Sequence, residues 1–310
     1  AYGVCCGLAL ARAVREAGGP PVAVVSFQDE EGRFGGLVGS AVWSGRMTLA
    51  EADALRDETG FGFAEARAHA AEIAAVDEIA PARFSAFVEP HIEQGPALAE
   101  AGEAVGVVTA IVGVRMLTVR FEGQANHAGT TPMPLRRDAA QGLFDYAARV
   151  NAALAPLAAP ATVWTLGRAS LEPNAPSIVP GAATVTVQMR DAESRRLDAM
   201  REAARAAAEA TARDRGLSVS IEERTPLDPV AMNPGWIERL ARGAEAAAPG
   251  RWRRMPSGAL HDAMQVADVL PAAMLFVPSI GGISHNPAED TDRADLATGL
   301  AALAAALGEG

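Results

Sequence analysis

Three stretches of this 310-residue chain place ionisable side chains just beyond apolar runs. The stretch 84–96 carries Glu89, His91, Glu93 and Gln94, and strand alternation sets Glu89, His91 and Glu93 on one face. Residues 22–27 run into Gln28-Asp29-Glu30-Glu31-Gly32, whose three successive carboxylates repel one another unless a cation neutralises them. Residues 272–277 lead through a glycine loop to Ser284-His285-Asn286-Pro287-Ala288-Glu289. One histidine at a sheet edge is ordinary. Two histidines and a glutamate pair at three strand ends form a metal-site pattern, because imidazole nitrogen with carboxylate oxygen suits zinc, manganese or cobalt and leaves a position open for water. Two more loops bring His127 (residues 124–132) and His261 (residues 258–263), the latter at the start of a helix.

The elements that must hold these loops follow from periodicity. An N-terminal helical pattern through Val14 and a Gly18-Gly19-Pro20-Pro21 breaker lead to 22–27, a β-branched run expected as a strand buried on both faces. Helical patterns at 49–56 and 64–75 precede the strand of the His91 stretch, then a short helix (96–101) and a strand (105–111). From Val112 the texture changes to strand (116–122), helix (137–154), two strands (162–169, 183–190), an alanine-rich helix (193–213) and a strand (217–223). That β-α-β-β-α-β order predicts a ferredoxin-like antiparallel sheet with two helices on one face. An α/β texture then returns, with a helix at 236–247, a strand at 272–277 and a closing helix at 295–307. The expected fold class is therefore α/β, with one domain (1–111 and 225–310) interrupted by a second (112–224). In open α/β sheets ligands bind beyond the carboxyl ends of the strands, where the three acidic and histidine-bearing loops fall.

Composition narrows the partners. A net charge of −11 with dispersed Lys and Arg argues against nucleic acid and anionic membrane surfaces. Adjacent Cys5 and Cys6, the two cysteines of the chain, exclude a disulfide framework and favour a reducing, cytoplasmic setting. No apolar run reaches membrane-spanning length. The chain opens Ala1-Tyr2-Gly3-Val4 directly into a helical pattern, as if cut inside a domain.

The strings DEEG, HIEQGP, NHAGTTP, PNAPSIVPG and SHNPAE, in this order, closely resemble the two-metal hydrolases of the M20 peptidase family. Within it they resemble the amidase/carbamoylase branch of N-carbamoyl-L-amino-acid hydrolases, allantoate amidohydrolases and β-ureidopropionases. The resemblance implies a catalytic α/β/α metallopeptidase-like domain interrupted by a ferredoxin-like lid that also dimerises, two divalent ions (zinc, or manganese, cobalt or nickel), and a small ureido or N-acyl amino-acid substrate. Residue by residue it makes Glu31, His91 and His285 metal ligands and Glu30 the general base. Gln94 becomes a substrate contact, His127 the lid histidine that stabilises the oxyanion from a neighbouring subunit, Arg190 the grip on a substrate carboxylate, and His261 a further active-site histidine. Ser177 stands where the family places a substrate-binding Asn, and Leu260 where it places a glycine.

The family's first metal motif, a His-x-Asp, and its bridging Asp have no counterpart in this chain, so only part of either ion's ligand set is expected. Three readings follow: a metal-dependent hydrolase of a linear C–N bond, a metal-poor dimerisation or binding remnant, and a general aminoacylase or dipeptidase, which the HIEQGP and NHAGTTP pair disfavours.

Overall fold

The strands Val105–Ile111, apolar but for Thr109, and Ala272–Val277, apolar throughout, lie side by side at the centre of a sheet, most of their residues buried. A computed structural model describes residues 2–73 and 79–308, and the chain divides into two compact units, Ala1–Ile111 with Val230–Gly310, and Val112–Pro229.

The first unit opens with α1 (Tyr2–Glu16), followed by α2 (Val38–Trp43), α3 (Leu49–Asp53) and α4 (Phe63–Ile73). Thr48 closes a capping box with Glu51 at the start of α3, which ends three residues before the expected Arg56. The expected extension of α4 to Ala75 lies outside the described residues. β1 (Phe87–Ile92), α5 (Ala97–Ala101) and β2 (Val105–Ile111) lead into the second unit.

The second unit is built from β3 (Gly113–Glu122), β4 (Asn126–His127), α6 (Ala139–Leu154), β5 (Val163–Glu172), β6 (Ile178–Val179), β7 (Ala182–Asp191), α7 (Ser194–Arg215) and β8 (Ser218–Glu223). Its antiparallel sheet has the order β5-β7-β3-β8, the ferredoxin-like arrangement, and β4 pairs separately with β6. Burial alternates along β3 and, from Ala183 on, along β7. Leu117, Val119, Phe121, Val185, Val187 and Met189 face Tyr146, Leu143, Leu197 and Met200 of the two helices, while Thr118, Thr186, Gln188 and Arg190 take the open face.

The chain then completes the first unit with β9 (Val230–Ala231), α8 (Pro234–Ala247), β10 (Trp252–Ser257), α9 (Asp262–Val266), β11 (Ala272–Val277) and α10 (Arg293–Gly308). The sheet order is β1-β11-β2-β10, with β9 added to β2. β1 runs parallel to β11 and β10 parallel to β2. Cys6, Leu10, Leu240, Ala244, Leu303 and Ala306 bring α1, α8 and α10 onto its core.

One strand expectation fails. Residues 22–27 form no ladder with any described strand and are half-buried or exposed, Val25 at 45%. β-Branched residues favour extended backbone, but a strand needs a hydrogen-bonding neighbour, and side-chain contacts anchor this segment among the described residues. Phe27 rests on the rings of Trp43 and Phe87, centroids 5.5 and 6.0 Å away. β1 is likewise an edge strand, half-buried along most of its length rather than sealed on both faces.

Candidate functional site

The acidic loop is set by Asp29. Its backbone is left-handed (φ 60°), and its carboxylate accepts the N–H groups of Phe34 (2.9 Å), Gly35 (3.0 Å) and Gly36 (3.3 Å). The expectation of three carboxylates awaiting a cation is corrected here, because backbone amides already satisfy the Asp29 oxygens and leave Glu30 and Glu31. Glu30 is half-buried, and burial, followed by the charges of Glu31 and Asp262, pushes its carboxyl above the usual range. Glu31 is exposed and reaches to 3.7 Å from Nε2 of His285.

His285 is itself left-handed (φ 54°), and its N–H donates to Glu289 (3.1 Å). At the end of β1, His91 Nδ1 lies 2.8 Å from the carbonyl of Ile92, which holds the proton on Nδ1 and leaves the Nε2 lone pair for a cation. The partners of Glu93 are the amides of Ala97 and Leu98 at 2.8 Å each, so its carboxylate caps α5 and is removed from the ionisable cluster. Gln94 is a third left-handed residue (φ 58°), and its N–H donates to the buried hydroxyl of Ser279 (3.0 Å), stapling the exits of β1 and β11 together. Among the described residues four non-glycines have positive φ, and three of them, Asp29, Gln94 and His285, lie one in each metal-motif loop. Backbone in this region costs about 1–3 kcal/mol per residue and persists where surrounding contacts enforce it.

Beneath these loops lies a polar layer that periodicity did not show. His261 is 1% exposed, its Nε2 lies 2.9 Å from Ser257 Oγ, and its ring meets that of His91 edge-on at 4.6 Å. Burial, then the neighbouring His91, lowers its pKa to about 3, so the ring is neutral. Glu89 accepts the N–H of Ala263 (2.8 Å) and stands 4.0 Å from His261 Nδ1. Desolvation and the charge of Asp262 raise Glu89 to about 8, and burial raises Asp262 too. Glu89 and Ala263 are 174 positions apart, which hides this contact from any local pattern.

His127, Ser177 and Arg190 belong to the second unit. His127 is exposed on β4 opposite Ile178, and the neighbouring Ala128 N–H donates to Ser177 O (2.9 Å), so NHAGTTP and PNAPSIVPG form one hairpin-like feature. Arg190 is half-buried on the open face of β7, its Nε donating to Gln188 Oε1 (2.9 Å).

The donors suit a borderline cation, with Glu31 and His285 already approaching each other and His91 presenting a free Nε2. Among the described residues, however, no three His, Cys, Asp or Glu side chains form a group able to hold an ion.

The model of peptidase family M20/M25/M40 matches residues 1–309. An N-carbamoyl-L-amino-acid amidohydrolase of Paenarthrobacter aurescens is 35% identical over 96% of this chain and 74% of its own length. An allantoate amidohydrolase of Bacillus subtilis is 34% identical over 98% and 74%. Among solved structures, an amidase of the hydantoinase/carbamoylase family from Burkholderia phymatum superposes with a TM-score of 0.90 at 39% identity, covering 98% of this chain and 75% of that one. The match along residues 1–309 and the superposition with a TM-score of 0.90 agree, and the chain belongs to peptidase family M20/M25/M40.

Proposed function

We propose that the protein hydrolyses a linear ureido or amide C–N bond in a metal-dependent reaction, with an N-carbamoyl-L-amino acid or an allantoate-like molecule as substrate. The observation that supports this most is the pairing of Glu31 with His285 at 3.7 Å beside a half-buried Glu30 whose carboxyl is pushed upward. Glu31, His91 and His285 would hold divalent metal, which when bound lowers the pKa of water and polarises the carbonyl. Glu30 takes the proton of the attacking water on its carboxylate and delivers it to the departing nitrogen, a role that suits an acid with a raised pKa. His127 donates to the carbonyl oxygen as charge develops there, and Gln94 contacts the substrate. The planar fork of Arg190 matches both oxygens of a substrate carboxylate. Buried His261 supports His91 from beneath through their ring contact.

Ammonia release from a panel of N-carbamoyl amino acids, allantoate, ureidopropionate and dipeptides tests this reading. Release from the ureido substrates and none from dipeptides is expected once the family's His-x-Asp and bridging Asp are supplied ahead of Tyr2. A second reading, a metal-poor binding remnant, is favoured by the lack of a three-ligand group among the described residues. It predicts that the 310-residue chain takes up zinc weakly and is inert, and that the completed chain stays inert too.

The second unit is proposed to make a homodimer in which His127 serves the partner's site. β5 and β8 are open edges whose unpaired backbone groups a second copy can cover. Mixing completed His127→Ala and Glu30→Gln chains should restore part of the activity that each homodimer lacks. A mixture no more active than its parents after verified subunit exchange rejects the shared site.

A further inference from the structure

The loop after β4 closes on His127 through its own backbone. The N–H groups of Gly129 and Thr130 both point at His127 Nδ1, at 3.0 and 3.2 Å. A ring nitrogen that receives two N–H donors must present a lone pair to them, because a proton there would face two others. The neutral ring therefore carries its proton on Nε2. A Cβ on residue 129 would stand 3.2 Å from His127 Cε1, so glycine lets this backbone lie against the ring.

Three contacts hold the loop in that shape. Thr131 Oγ1 donates to the carbonyl of His127 (2.7 Å), and the N–H of His127 donates to Asn126 Oδ1 (2.9 Å). The third is Arg136, half-buried, which donates from Nε to the carbonyl of Thr131 (3.0 Å) and from Nη2 to the carbonyl of Ala128. The Ala128 carbonyl belongs to the same peptide group as the Gly129 N–H. One peptide thus accepts from the guanidinium at one end and donates to the imidazole at the other, a chain in which each bond orients and polarises the next.

We propose that Arg136 is a positioning residue that, through the Ala128–Gly129 peptide, fixes His127 as a ring able only to donate from Nε2. Its functional meaning rests on the reading of His127 as the donor to the carbonyl oxygen. A ring locked this way is an electrophilic donor at the reacting carbonyl, and its Nδ1 is withheld from proton transfer.

The test is the ring itself. In the 310-residue chain labelled with ¹⁵N-histidine, long-range proton–nitrogen correlations report which ring nitrogen bears the proton, and the His127 signals are those that vanish in His127→Gln. The expected pattern at a pH where the ring is neutral is Nε2–H with bare Nδ1, changing to a tautomer mixture in Arg136→Gln. A wild-type ring protonated on Nδ1, or already averaged, overturns the proposal, as does an unchanged ring in a folded Arg136→Gln chain. If that variant fails to fold, Arg136→Lys decides, since a single ammonium nitrogen replaces the two guanidinium nitrogens that reach the two carbonyls: a partial mixture supports the proposal and an unaltered pattern overturns it. The two readings fail separately. The expected tautomer together with full turnover by a completed His127→Gln chain removes the carbonyl-donor reading and leaves the positioning role standing.

Discussion

Glu30→Gln is expected to lower ureido hydrolysis by about 10² to 10⁴-fold, the span typical of a lost general base, while bound metal stays unchanged. Glutamine keeps the shape and the half-buried packing of Glu30 but cannot accept a proton. Glu31→Gln should do the reverse and release metal, because the exposed Glu31 carboxylate is the one facing His285. Metal analysis beside turnover, in a chain completed with the His-x-Asp and bridging Asp, separates the two. Equal metal loss in both variants would show that the adjacent glutamates share one role.

A large stability effect is expected at Arg115. This side chain is 4% exposed and donates to Asp198 (3.0 Å), Ser194 (3.2 Å), Asp228 (2.6 Å) and the carbonyl of Leu227 (3.0 Å). Arg115→Met keeps the apolar stem yet leaves that carbonyl without its charged donor. Asp198 and Asp228 are partly exposed and can rehydrate, so the cost falls below that of a stranded buried charge, at about 2–3 kcal/mol. Urea unfolding followed by fluorescence reads it, and a loss under about 0.5 kcal/mol, the level of an ordinary surface change, would reject the hub. The pH dependence has a definite sign. The hydrogen bond from Arg115 holds Asp228 below the ordinary aspartate value of 3.8, so its contribution is present above that pH and fades as pH falls through the lower folded value. The gap between wild type and variant should narrow in acid.

How far the sequence carried can be judged from particular residues. Residues 105–111 and 272–277 were legible to the residue because a largely buried central strand leaves a near-continuous apolar run. Residues 22–27 show the same composition and form no ladder, since composition records a preference for extended backbone and not the presence of a neighbour. The ferredoxin-like order of the second unit followed from the sequence of strand and helix patterns, and its two central strands keep the alternation, β3 throughout and β7 from Ala183 on. In the site, motif strings located the acidic and histidine loops, and the relatives' names match the expected amidohydrolase lineage. What the strings could not do was divide labour among neighbouring carboxylates. Asp29 and Glu93 stand beside the expected ligands in sequence, and only the turns show that backbone amides engage them. Asp262 and the contact of Glu89 with Ala263 were invisible because partners so distant in sequence leave no periodic trace.

The two crossings between the units run antiparallel beside each other. Ile111 pairs with Val230 and Val114 with Leu227, and Gly113 lies so close to Leu227 and Pro229 that a Cβ there would stand 2.6 Å from their backbone. The second unit therefore enters and leaves through a single doorway a few ångströms wide, and bridging its ends needs only a short loop with a small closure entropy. With a hydrophobic core of its own, Val112–Pro229 has the form of a cassette. It can be lifted out and cyclised through its adjoining ends, or exchanged for the corresponding cassette of a relative without moving any strand of the host sheet.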